Sequence, residues 1–142
     1  MDNQSNLEAY EETNHKTAEQ LRDTLEIADL VIIHDPQPAA LIKDFTDIRK
    51  GKWVWRCHID ASRPFRSVWR YLSNFVSHYD ASIFSLSSFA QRLPHPNYII
   101  PPSIDPLHEK NIDLDEKEIN DVFTRFNLNP ERPLILQVPW QN

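Results

Sequence analysis

Glycine is nearly missing from this chain: Gly51 stands alone against eleven prolines. That scarcity excludes a glycine-rich loop folded around a phosphate, because such a loop needs several backbone positions free of a Cβ. Cysteine is equally scarce. Cys57 alone cannot close an internal disulfide, and it lies inside an apolar stretch, so a reduced, cytoplasmic setting is expected. No apolar run approaches the roughly 20 residues that a membrane-spanning helix requires, and the acidic N-terminus lacks the basic start of a secretory signal. No membrane partner is expected. Basic residues are rare where the acids gather: residues 1–29 hold eight acids against Lys16 and Arg22, which accounts for the whole net charge of −6. Residues 31–92 carry nine bases and five acids, a balance that suits an anionic small molecule and falls short of a nucleic-acid footprint.

What is present is a globular composition, 40% hydrophobic and 25% charged, on a length that suits one domain with a real core. The chain is organised around Trp53-Val54-Trp55-Arg56-Cys57-His58-Ile59-Asp60. Under the alternation of a strand, Trp53, Trp55, Cys57 and Ile59 share one face and Val54, Arg56 and His58 the other. Ser62-Arg63-Pro64 then opens a strongly periodic helix. Phe65, Val68, Trp69, Leu72, Phe75, Val76 and Tyr79 form its apolar face, opposite Arg66, Arg70, Ser73, Asn74 and Ser77.

Upstream, residues 5–27 read as a helix with a modest apolar stripe (Leu7, Tyr10, Asn14, Thr17, Leu21, Leu25) that packs on a surface without forming core. Leu30-Val31-Ile32-Ile33 has the continuous apolar pattern of a strand covered on both faces. His34-Asp35-Pro36-Gln37-Pro38 ends it, and its prolines introduce a helix from Ala39 to Phe45. Downstream, Ala81 to Leu86 and Tyr98 to Ile100 read as further strands, separated by a short helix at Ser88 to Arg92. Strands alternating with helices predict an α/β fold: a partial Rossmann-like parallel sheet flanked by helices.

Pro101 to Pro106 cannot join a helix or a central strand, so a linker is placed at residues 101–110. It divides an N-terminal unit, residues 1–100, from a second, residues 111–142. In the second unit Asp113 and Glu116 suggest a capping box for a helix bearing Ile119, Val122, Phe123 and Phe126. Leu134 to Val138 reads as the first strand of another Rossmann-like domain. Such a strand is not stable unpaired, so the chain is expected to be part of something longer.

In open parallel sheets ligands sit beyond the carboxyl ends of the strands. That places His34, Asp35, Gln37, His58 and Asp60 as candidates, with Arg56 on the His58 face. Each also has a structural reading: a hydrogen-bonded histidine at a strand end for His58, turn-orienting residues for His34 and Asp35, a first-turn residue for Gln37, a cap of the following helix for Asp60, a buried salt bridge for Arg56. Two histidines and two aspartates could ligate a metal, but no tight ligand spacing supports it, and no metal is expected. Cys57 faces away from His58 among tryptophans, which makes a catalytic thiol unattractive.

His34-Asp35-Pro36-Gln37-Pro38-Ala39-Ala40-Leu41-Ile42, Trp53 to Asp60, and Pro102-Ser103-Ile104-Asp105-Pro106-Leu107 together resemble the trehalose synthase and trehalose phosphorylase branch of glycosyltransferase family 4. The resemblance runs from about Ala28 to Val138. It implies a retaining glucosyltransferase of two Rossmann-like domains facing across a cleft. The donor is a nucleotide sugar such as UDP-, ADP- or GDP-glucose, the acceptor is glucose, and neither cofactor nor metal is used. By the same resemblance Asp35 and His58 face the cleft, bind sugar hydroxyls and are the expected catalytic residues; the residues themselves add His34, Gln37 and Asp60 as candidate sugar contacts and Arg56 as a candidate anion contact in the substrate-binding set. The glycine-rich loop expected ahead of Leu7 and the donor-gripping segment expected after Val138 have no counterpart here. The implied protein is therefore a truncated middle segment, inactive alone, or else a non-enzymatic sugar-binding module. Its open strand edge and apolar helix faces predict a homo-oligomer or assembly with a complementing donor-domain subunit.

Overall fold

The computed structural model describes residues 3–108 and 111–136. It divides into two compact units, Met1–Pro102 and Ser103–Asn142.

In the first unit four strands form one all-parallel sheet whose spatial order follows the chain: β1 (Leu30–His34), β2 (Lys52–Cys57), β3 (Ala81–Phe84) and β4 (Asn97–Ile99). Helix α1 (Asn3–Leu25) precedes β1, and α2 (Arg66–Val76) joins β2 to β3. The anticipated α/β sheet is therefore present, and its core lies on one side. Trp53, Trp55 and Cys57 are fully buried with Val31, Ile33 and Phe84 of the neighbouring strands. Over them pack Ala39 to Ile42, Phe45, and the Leu72, Phe75 and Val76 face of α2. The two tryptophans sit edge-on or tilted against Phe45, Tyr79, Trp69 and Phe84, contacts that add to the area they bury.

Several expectations change. β1 is not covered on both faces: Leu30 is 56% and Ile32 44% exposed. With Tyr98, they leave the second sheet face open among the described residues. The continuous apolar run thus marks a face that this unit does not itself cover. α1 spans Asn3–Leu25 and contributes Ala18 to the core, so it is more than a surface helix, while Leu7 and Leu21 of its expected stripe stay exposed. It is anchored by polar contacts. Tyr10 Oη donates to the Pro36 carbonyl at 2.8 Å, Asn14 Nδ2 to that of Gln37 at 3.0 Å, and Glu11 accepts from both Lys43 and Tyr71 at 2.8 Å. Residues Ala39–Asp44 form a 3-10 turn where a helix to Phe45 was expected, and a shorter one covers Ser87–Phe89 in place of Ser88 to Arg92. β3 ends at Phe84, two residues early, and β4 starts one residue early, at Asn97. Phe65 and Val68 are exposed, so the buried face of α2 is narrower than its apolar stripe.

The second unit contains α3 (Glu116–Arg125). Its capping box is Asp115 with Glu118, not Asp113 with Glu116: the Asp115 carboxylate accepts from the Glu118 amide at 2.8 Å, and Glu118 accepts from the Asp115 amide at 3.0 Å. Removing the cap with Asp115→Ala should cost this helix about 1 kcal/mol, seen as a loss of helical signal at 222 nm confined to the first few degrees of heating. Leu134 to Leu136 join no strand ladder, and the remainder of the expected strand, Gln137 and Val138, lies outside the described residues.

Candidate functional site

The parallel register sets His34 beside Arg56. One step further, the chain leaving β1 and the chain leaving β2 lie side by side, so the two strand ends deliver His34, Asp35 and His58 to one place. Asp35 has a left-handed backbone, φ 67°, a conformation that an aspartate tolerates better than most residues but that still carries strain. Three contacts hold it there. Its amide donates to the Arg56 carbonyl at 2.8 Å, its own carbonyl accepts from Trp55 Nε1 at 2.9 Å, and one carboxylate oxygen accepts from the His58 amide at 2.9 Å. The core tryptophan thus reaches up from below the sheet to fix the turn.

The imidazoles meet directly: His34 Nδ1 lies 2.8 Å from His58 Nε2, with ring planes 11° apart and centroids separated by 5.0 Å. One nitrogen of this pair must donate and the other accept. In neutral imidazole the two nitrogens have opposite roles. Whichever tautomer holds, the outward nitrogens, His34 Nε2 and His58 Nδ1, therefore present one donor and one acceptor. Both rings are exposed. A donor and an acceptor beside a carboxylate oxygen that has no partner among the described residues are complementary to the neighbouring hydroxyls of a sugar.

The other candidates separate from this trio. Asp60 accepts from the Ser62 amide at 2.8 Å, which holds a tight turn; its carboxyl is lowered chiefly by the Ser62 hydrogen bonds, with Arg63 contributing. It does not cap α2, whose N-cap is Phe65 without a side-chain hydrogen bond. Among the described residues Arg56 forms no salt bridge, and its guanidinium donates to the Ile100 carbonyl at 3.4 Å. Gln37 is exposed, and its side chain has no hydrogen bond among the described residues. Ile59, expected on the buried face, lies past the end of β2 and is 52% exposed. Cys57 is buried, and that burial pushes its thiol up to about 11, so it is protonated and inert at neutral pH. Among the described residues no group of three or more His, Cys, Asp or Glu side chains could hold a metal ion, and no helix is long and apolar enough to cross a membrane.

Sequence reasoning missed Arg49 and Asp80, which brace the start of β2 at the opposite end of the sheet. It also missed the direct imidazole contact, which only the strand register reveals.

Residues 2–91 match the family model described as the N-terminal domain of trehalose synthase. The chain belongs to the trehalose synthase family. It is 48% identical to trehalose synthase of Pyrococcus horikoshii over 119 residues, covering 80% of this chain and 28% of that protein. It is 44% identical to the Thermococcus litoralis trehalose synthase over 138 residues, 93% of this chain and 32% of the relative. The Rubrobacter xylanophilus trehalose synthase is 39% identical over 142 residues, 94% of this chain and 34% of the relative. The chain thus spans about a third of the length of the curated relatives it matches.

Proposed function

We propose that this chain is the acceptor-side part of a trehalose-forming glucosyltransferase, with glucose bound beyond the ends of β1 and β2. The observation that carries this reading is the coupled imidazole pair beside the strained Asp35. His58 and Asp35 orient the accepting hydroxyl, His34 and Gln37 take neighbouring hydroxyls, and Arg56 and Asp60 stand at the margin. The reaction is retaining transfer from a nucleotide-activated glucose such as UDP-, ADP- or GDP-glucose, held by a part of the enzyme other than these residues. Retaining transfer depends mainly on positioning both sugars and on stabilising the leaving diphosphate. This chain supplies only the first, so it is inactive alone. Activity requires a donor-domain partner.

The test is binding separated from turnover. Glucose should perturb the His34 and His58 ring resonances saturably, and His58→Ala should weaken that binding about tenfold, the loss expected for one or two buried polar contacts. Asp35→Asn, which still tolerates the left-handed backbone, should weaken it while leaving the melting temperature within a few degrees. Absence of any hexose-dependent shift would overturn the site. Production of trehalose from glucose and any of the three nucleotide sugars by the purified chain would overturn the inactivity.

The open sheet face with exposed Leu30, Ile32 and Tyr98 favours a second element of this reading, assembly with a complementing subunit or a second copy. Sedimentation of a single monomeric species at high concentration, without association, would speak against self-assembly.

A further inference from the structure

The start of α2 carries an arrangement that works against its own helix. Arg66 is the first helical residue and Arg70 follows one turn later, while no acidic residue lies in the first turn. Cations at a helix N-terminus oppose the macrodipole, and like charges four residues apart on a helix repel. Surface arginines usually find a carboxylate. Arg66 and Arg70 form no hydrogen bond or ion pair among the described residues, and Arg63, one turn earlier, has only the nearby charge of Asp60.

These three arginines line one open groove of about 660 Å³, together with Trp69, Ser73 and Gln91. The groove is built, not incidental. Gln91 reaches across from the segment after β3, donating to the Ala61 carbonyl and, at 3.5 Å, to that of Ser62, while Asp60 holds the Ser62 amide. The backbone that carries Arg63 is therefore fixed from both sides. Trp69 forms a half-buried wall resting against Trp55 of the core. Two arginines without a counter-charge among the described residues, a third that Asp60 partly offsets, and a helix N-terminus make this a locally positive place in a chain of net charge −6. A folded protein keeps such local conflict where a ligand relieves it.

We infer that this groove binds a phosphoryl dianion, carried by a sugar phosphate or as free phosphate, with Arg66 and Arg70 as the principal contacts and Arg63 secondary because Asp60 partly offsets it. Arginine forks match phosphate oxygens two at a time, and the groove is wide enough for an organic body against Trp69. The inference stands on the groove alone and does not depend on sugar transfer by the strand-end site.

The experiment is calorimetric titration of the full chain at low salt with glucose 6-phosphate, inorganic phosphate and glucose. Saturable binding by either phosphate is expected, weakened tenfold or more in the Arg66→Gln, Arg70→Gln double variant, the loss expected when charge-assisted hydrogen bonds are removed. Added salt should weaken it as well. Tighter glucose 6-phosphate assigns a sugar phosphate, and equal affinities assign free phosphate. The same double variant should melt no lower than the parent, because it removes repulsion and a dipole conflict. No saturable binding by either phosphate, binding unchanged in the double variant, or a variant that loses stability would each overturn the inference. Lost glucose binding in His58→Ala with retained phosphate binding would separate this site from the strand-end site.

Discussion

Gly51→Ala should destabilise the first unit by about 3 kcal/mol, at the upper end of what overpacking costs, although the substitution adds one methyl group. A Cβ at this position would lie 2.0 Å from the Ala28 carbonyl oxygen and 2.4 Å from that of Asp29. Both are backbone atoms, and neither can step aside. The Asp29 carbonyl accepts from the Lys52 amide at 3.0 Å, and the Lys50 amide donates to the Glu26 carbonyl at 3.1 Å, so the chain entering β2 is bonded down along the chain that leaves α1 and enters β1. Moving either segment to admit a methyl group breaks the start of the β1–β2 ladder, where Leu30 pairs with Lys52. The positive-φ argument for glycine does not apply here; close approach is the whole reason. Urea denaturation followed by tryptophan fluorescence reads the effect through Trp53 and Trp55, and a midpoint within about 0.3 M of the parent would refute it, since slopes of about 1–3 kcal/mol per molar urea make 3 kcal/mol a shift of a molar or more.

That role was not legible in the sequence, where Gly51 is one polar-loop residue among several. Its necessity follows from how closely β1 and β2 enter the sheet, which is a tertiary fact. The alternation of Trp53, Trp55 and Cys57 was legible, because a period of two needs no knowledge of neighbours. The apolar run of β1 misled for the complementary reason. Leu30 and Ile32 are as apolar as Val31 and Ile33, and composition alone cannot say that only one face finds a cover in this unit. Asp113 and Asp115 are each followed three residues later by a glutamate, so two overlapping capping boxes were available. The site divides in the same way: residues leaving the strand ends could be named from the strand pattern, whereas the pairing of His34 with His58 required register. Asp80 carried no signal, since a lone acid ahead of a strand is ordinary.

Asp80→Ala should cost about 2 kcal/mol, the loss expected when a partly buried charge and a backbone donor are left without their acceptor. The carboxylate accepts from the Trp53 amide at 2.8 Å, from Lys52 Nζ at 3.1 Å and from Arg49, whose guanidinium also reaches the His78 carbonyl at 3.2 Å. The Asp80 amide returns a bond to the Trp53 carbonyl at 2.8 Å. One side chain therefore ties together the loop before β2, the first core tryptophan and the turn into β3. Alanine leaves the Trp53 amide without its acceptor and the Arg49 side chain, only 16% exposed, without its counter-charge. Asparagine, which keeps an acceptor but not the charge, should lose roughly half as much. Burial raises the Asp80 carboxyl, but the Trp53 amide, Lys52 and Arg49 outweigh it and hold the group below its ordinary value. A lowered folded value means that the unfolded chain takes up the proton first. The stabilisation is thus fully present above about pH 4, the ordinary aspartate range, and is lost as pH falls through the depressed folded value. The difference in unfolding free energy between parent and Asp80→Asn should accordingly be constant from pH 7 to pH 5 and shrink towards pH 3, with the other carboxylates cancelling in the subtraction. A difference that stayed constant down to pH 3 would mean that the charge of Asp80 contributes nothing, and that its hydrogen bonds account for its whole effect.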